Sequence, residues 1–206
     1  MDARLNETHA ALAAEDADRA GFYALIAHLM AHAPAAETLA AIAAAPALEP
    51  DPALPEAVAL AQAWQGLQRA AADGDAGTVA AEWAALFTAP GRPLMLPYAS
   101  FFLTGFLMEK PLAALRDEMA ALGLAREAGC GEPEDHLAGV CDVMRVLVER
   151  GDWAAQQGFF SRHLQPWVAD CCRALTDCEL ARFYSALAAF AHAFFMLEAR
   201  VLGYEQ

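Results

Sequence analysis

FYSALAAFAHAFFML, Phe183 to Leu197, is the longest strongly apolar run in the chain, and its reading decides the fold class. It is 15 residues long, holds Ser185 and His192, and is closed by Arg182 and Glu198. A membrane-spanning helix needs about 20 apolar residues. The run therefore reads as the buried helix of a helical bundle, and no stable membrane insertion is expected. A second uncharged stretch, Pro93 to Met108, is broken by Pro93 and Pro97.

Helical periodicity continues outward from that run. Phe22, Leu25, Ile26, Leu29 and Met30 form an i, i+3, i+4, i+7, i+8 stripe, with Asp16 or Asp18 as its cap and Pro34 as its stop. Leu39 and Ile42 mark a short second helix. Four prolines make Pro46–Pro55 a loop, and Pro55 can open the next helix, which carries Val58, Trp64 and Leu67 to the Asp73-Gly74-Asp75 turn. Val79, Trp83, Leu86 and Phe87 share a face, and Ala89–Pro93 breaks the chain. Ser100 reads as a cap for Phe101, Phe102, Leu103, Phe106 and Leu107, which are apolar almost all round and so expected deep in the core. Leu112, Leu115, Met119 and Leu122 end at Gly123, a candidate left-handed cap. Leu137, Val140, Cys141, Met144, Leu147 and Val148 form one side of a long helix stopped by Gly151. Phe159–Leu175 is read as one further segment, and the last helix is expected from about Asp177 to Leu202.

Alternating stretches and β-branched residues are scarce. The class is all-α, a compact bundle of roughly nine or ten helices. One domain, 1–206, is expected, with Gly129–Gly131 as the candidate joint between halves 1–128 and 132–206.

Composition narrows function. The chain has 206 residues, of which 52 are alanine, so the 58% hydrophobic content reflects helix formers more than membrane residues. A chain of this length buries about 70% of its unfolded surface and needs no disulfide or metal. Thirteen basic and 27 acidic residues leave a formal net charge of −14. That disfavours nucleic acid and anionic membranes and allows a cationic partner. MDARLNETHA has no basic region followed by an apolar run, so cytoplasmic localisation is expected. Five cysteines without a CxxC, two of them adjacent at Cys171 and Cys172, suit reduced thiols. Their spacing with His163 matches no zinc pattern, and no metal or cofactor is expected. Phosphate-binding, zinc-protease and nucleophile-elbow motifs are absent, so the chain is read as no enzyme.

Two segments stand out. Trp83-Ala-Ala-Leu86-Phe87 leads through prolines to Pro97-Tyr98-Ala99-Ser100; the proline-held loop can present an aromatic at low ordering cost. Periodicity by itself puts Trp83, Leu86 and Phe87 in the core; the alternative is a peptide-binding cleft. Glu132-Pro133-Glu134-Asp135-His136 is a helix start, with proline and acids suited to a first turn. The alternative is a carboxylate cluster that grips guanidinium groups, with His136 beside Asp135 as a charge-sensitive pair.

Together these segments resemble the TorD/DmsD/NarJ family of cytoplasmic chaperones for molybdoenzyme maturation. The resemblance rests on the aromatic-xx-Leu-Phe helix end, the Pro-Gly loop, Pro97-Tyr98-x-Ser100 and Glu132-Pro133-x-Asp135-His136. Phe160-Ser-Arg-His163-Leu164-xx-Trp167, Phe183-Tyr184-xx-Leu187-Ala188 and Arg19-xx-Phe22-Tyr23 extend it over almost the whole chain. The resemblance implies an all-helical protein without catalysis. Its partner would be the precursor of a molybdopterin oxidoreductase, held by its twin-arginine leader until cofactor is inserted. The implied signal-peptide-binding residues are Trp83, Leu86, Phe87, Pro97, Tyr98, Asp135 and His136, with Ser100 and Glu132 in the same motifs. A homodimer that exchanges helices is also compatible. Two other readings stay open: a nucleotide- or small-molecule-binding protein using Asp135 and His136 as an acid–base pair, and a helical adaptor.

Overall fold

The run from Phe183 forms a helix that buries one face in the bundle and leaves Ala189, His192 and Met196 exposed on the other. In the computed structural model, which describes residues 14–89, 93–127 and 131–203, it forms the 21-residue α10 (Phe183–Gly203). This helix is long and apolar enough to cross a membrane by length and composition, and half of its apolar window is buried inside the bundle. It packs on α3 (Pro55–Asp73) and α9 (Val168–Thr176), while α1 (Ala14–Ala31) lies along α7 (Leu137–Glu149). Phe22 meets Trp64 at 5.7 Å and Phe190 at 5.2 Å between ring centroids, and Tyr23 meets Phe194 at 4.8 Å. Such tilted and edge-on contacts join helices from both ends of the sequence into one core.

The remaining helices are α2 (Ala36–Ala44), α4 (Ala76–Trp83), α5 (Ala99–Thr104), α6 (Lys110–Ala121) and α8 (Trp153–His163). Pro55 takes the first turn of α3, Gly123 follows α6 at φ 68° and Gly151 follows α7 at φ 66°, as their residue types predict. The expected N-terminal reading, most of the Ala89–Pro93 break and residues 129 and 130 of the joint lie outside the described residues. Helices from either side of that joint share the core, through α1 with α7 and α3 with α10.

Several expectations need correction. Asp16 is not a cap: α1 already runs at Ala14, and Asp16 bonds Arg19 one turn on at 2.7 Å. Asp18 likewise lies inside α1. Phe159–Leu175 is two elements, because the Leu164-Gln-Pro-Trp167 turn separates α8 from α9. The last helix begins at Phe183 rather than near Asp177, and Leu180 is exposed before it. Its start is fixed from far away in sequence. The Glu82 carboxylate accepts the N–H groups of Arg182, Phe183 and Tyr184 at 2.8, 3.2 and 2.8 Å. Three otherwise orphaned donors are satisfied at once, and the negative charge faces the positive end of the helix dipole. Glu82→Ala is therefore expected to cost about 1–2 kcal/mol in urea denaturation; a loss below about 0.3 kcal/mol would contradict this capping role.

The largest departure is α5. It ends at Thr104, because Gly105 turns left-handed at φ 83°. Phe102 still stacks on Trp167 at 5.8 Å. Beyond it, Leu103, Phe106, Leu107 and Met108 stand 43, 70, 42 and 74% exposed, so the expected deep burial fails for most of this segment. Met108 itself has φ 59°, a region that residues with a side chain seldom occupy.

Candidate functional site

The Pro97–Ser100 and Glu132–His136 segments meet as two extended strands of chain. Tyr98 and His136 form an isolated antiparallel bridge. Leu137 N–H donates to the Pro97 carbonyl at 2.8 Å, and Ala99 N–H donates to the Asp135 carbonyl at 2.9 Å. This joint starts two helices, α5 on one side and α7 on the other.

Ser100 is not the cap of α5 but a residue of its first turn, and it is fully buried. Its N–H donates to Asp135 Oδ2 at 2.9 Å, and its hydroxyl donates to the same oxygen. Asp135 is thus a distant N-terminal ligand for α5. Its other oxygen, Oδ1, is buried without a hydrogen-bond partner among the described residues, an arrangement that costs energy unless something meets it. His136 caps α7: its Nδ1 accepts the Ala138 N–H at 3.1 Å. Burial pushes its pKa down to about 4, against the pull of Glu132 and Asp135. The ring is neutral at pH 7, which suits a helix N-terminus. Tyr98 lies edge-on to it at 5.0 Å and donates its hydroxyl to Glu132. Burial, reinforced by that bond, raises the Tyr98 pKa, so the phenol stays protonated.

A cleft of about 630 Å³ opens beside this joint. Met119, Leu124, Ala138 and Val143 give it apolar walls, while Glu127, Glu132, Glu134 and Asp142 bring four carboxylates to it. Arg126 and Arg145 are partly neutralised there: Arg126 lies 3.6 Å from the Glu134 carboxylate and also donates to the Glu132 carbonyl at 3.0 Å, and Arg145 pairs with Asp142 and Glu149. Glu134 is held ionised by its bond to Arg116, which draws its pKa below the usual carboxylate value.

The structure therefore gathers Pro97, Tyr98, Ser100, Glu132, Asp135 and His136. Pro97, Ser100 and Asp135 are buried supports rather than surface. Leu86 is fully buried, and its carbonyl accepts the Met95 N–H, two residues before Pro97, at 2.9 Å. It sits in a π-helical turn, Ala84–Thr88, that follows α4. Trp83 and Phe87 form a different cluster, 6.2 Å apart, with Phe87 edge-on to Tyr184 at 5.3 Å. Among the described residues no hydrogen bond or ring contact joins Trp83 or Phe87 to Tyr98 or His136, and neither lines the cleft. Asp142, Arg145 and Val146 were missed as cleft residues. Their spacing from Ala138, i+4, i+7 and i+8 on α7, was the available signal.

The buried thiols carry no ligand set. Burial raises the pKa of Cys141 and Cys171 and pushes Cys172 up to about 12, which keeps them protonated. Among the described residues no group of three or more His, Cys, Asp or Glu could hold a metal ion.

Comparison with known proteins adds an independent line. A family model described as nitrate reductase delta subunit matches residues 52–173. Chaperone protein TorD of Vibrio cholerae serotype O1 is 33% identical over 128 residues, which is 56% of this chain and 58% of that protein's length. Chaperone protein TorD of Shewanella loihica is 28% identical over 132 residues, covering 61% of this chain and 63% of its own. Among solved structures, a chain described as a redox enzyme maturation protein from Archaeoglobus fulgidus superposes with a TM-score of 0.54. That likeness, at 18% identity, covers 87% of this chain and 92% of the other, and it shows a common fold.

Proposed function

Because the chain belongs to the nitrate reductase delta subunit family, we propose that it is a non-catalytic chaperone for a molybdenum-cofactor oxidoreductase. It binds the twin-arginine leader of the apo-enzyme and holds it in the cytoplasm for cofactor insertion before export. The observation that carries this reading is the acidic, apolar-walled cleft at the Glu132–His136 joint. A leader with two guanidinium groups and a following apolar run needs both kinds of wall. Carboxylates receive guanidinium in bidentate fashion. A chain with net charge −14 also attracts a cationic segment before contact.

Magnitudes divide the work. Exposed charge pairs supply about 0.2–1 kcal/mol each. About 300 Å² of apolar contact at ~25 cal/mol/Å² supplies roughly 7–8 kcal/mol gross. Ordering the peptide removes several kcal/mol of that. The net is then about 6 kcal/mol, and the dissociation constant is expected in the tens of micromolar.

An acid–base role for Asp135 and His136 fits less well. The His136 lone pair at Nδ1 is taken by a backbone amide, and Asp135 Oδ2 is taken by Ser100. The one acceptor of the neutral imidazole is occupied and Asp135 is 1% exposed, so neither group is placed to take a proton from a substrate.

The test is a fluorescence-anisotropy titration with the twin-arginine leader of a molybdopterin oxidoreductase. Binding in the tens of micromolar is expected, weakening about tenfold when both arginines become lysine and when Glu127→Gln and Asp142→Asn are combined. Failure to bind any such leader would overturn the proposal. Equal binding of the lysine peptide would remove the guanidinium contacts from it.

A further inference from the structure

We infer that the exposed turn Leu103–Met108 is the seat of the apolar segment that follows the arginine pair in a leader peptide. The inference rests on the leader-binding reading above and moves the apolar contact away from Trp83 and Phe87, which already pack on each other, Phe87 also on Tyr184.

Four large apolar side chains stand out from the bundle within six residues. The backbone holds them there. Gly105 bends the chain out of α5, and Met108 takes a left-handed conformation that a residue with a side chain seldom adopts. Behind the turn lies a hollow of about 290 Å³, lined by Met108, Leu112, Ala113, Arg116 and Pro133 among others. Pro133 also lines the acidic cleft. Arg116 donates from Nε to Glu134 at 2.9 Å, and Glu134 is a wall of that cleft. The apolar turn and the carboxylates are therefore continuous surface, meeting at the Glu132–His136 motif.

Size selects the occupant. The four side chains expose on the order of 400 Å², about half of the ~800 Å² per partner that a stable interface between two copies buries. A single apolar peptide segment needs no more than that. Chemistry selects it too. A partner that is cationic at one end and apolar at the other fills both parts of the surface, with its arginines toward Glu127, Glu132 and Asp142 and its apolar run over Phe106 and Met108.

The experiment uses two synthetic peptides, a twin-arginine leader and the same leader cut after its arginine-containing half. The protein is compared with a Phe106→Asp/Met108→Asp double variant. Both substitutions fall on exposed positions, and circular dichroism checks that the fold is kept. Wild-type protein is expected to bind the full leader about tenfold or more tightly than the cut one. The double variant is expected to bind the full leader as weakly as the cut one and to leave binding of the cut one unchanged. Undiminished binding of the full leader would overturn the inference, as would an equal loss for both peptides. So would sedimentation showing that the substitutions dissolve a dimer instead. Wild-type protein that binds neither peptide would overturn the leader-binding reading itself, a result distinguishable from the others.

Discussion

Replacing Glu198 with alanine is expected to lower stability by about 3–5 kcal/mol, a large part of the 5–15 kcal/mol typical of a folded domain. Glu198 is 1% exposed on α10. Arg19 donates to it from Nε at 2.8 Å and from Nη2 at 3.0 Å, and the Tyr23 hydroxyl donates at 2.9 Å. Arg19 also reaches Gln156 of α8 at 2.8 Å and lies over the Trp153 ring at 5.4 Å. One guanidinium thereby ties α1, α8 and α10 together. Without Glu198, a largely buried cation and the Tyr23 hydroxyl lose their main partner, and breaking half of such a pair costs more than the intact pair contributes. At about 2–4 °C per kcal/mol for a chain of this size, the melting temperature should fall by roughly 10 °C. In a double-mutant cycle, Arg19→Ala and Glu198→Ala together should cost less than the sum of the two. A loss under 1 kcal/mol for Glu198→Ala, or strict additivity, would show that the network is not coupled.

Stability is also expected to fall as pH drops from about 6.5 to 4, by about 3 kcal/mol in all. His136 has an ordinary value of 6.5 when unfolded and about 4 when folded. The unfolded chain therefore binds the proton more tightly. The stabilising contribution is complete above pH 6.5, declines as the unfolded ring takes up a proton, and is spent below 4. Other acid-labile groups act later. Arg162 and Arg116 hold Glu118 and Glu134 below the ordinary 4.5, so their contributions fade only below that value. Urea midpoints at pH 7.5, 6 and 5 separate the two. His136→Asn keeps a capping acceptor and should flatten the pH 6.5–5 limb. An unchanged slope in that variant would assign the pH dependence elsewhere.

Much of the fold was legible because it follows from local rules. The Phe22–Met30 stripe, Pro55 at a helix start, Gly123 after α6 and the α7 face from Leu137 to Val148 all depend on residues a turn or two apart. The α5 segment was misread because periodicity reports where apolar side chains lie around a helix, not whether anything covers them. Gly105 ended the helix, and Phe106 and Met108 were left outside. Ser100 was misassigned for a related reason: its hydroxyl answers to Asp135, 35 positions away. Glu82 and Glu198 reach across 100 and 179 positions, separations at which no spacing rule operates. At the site, the motif residues from Pro97 to Ser100 and from Glu132 to His136 come together. The carboxylate walls emerge only once Met119 of α6, the Glu132–Glu134 segment and α7 line one cleft, and the exposure of Phe106 and Met108 only once the bundle is assembled.

Amide hydrogen exchange with and without a twin-arginine leader tests the central claim most directly. The account predicts protection confined to two regions, Leu103–Met108 and Glu132–Asp142, with α4 and the first turn of α10 unchanged. Protection centred instead on Trp83–Thr88 and Phe183–Tyr184, or absent everywhere at saturating peptide, would contradict it.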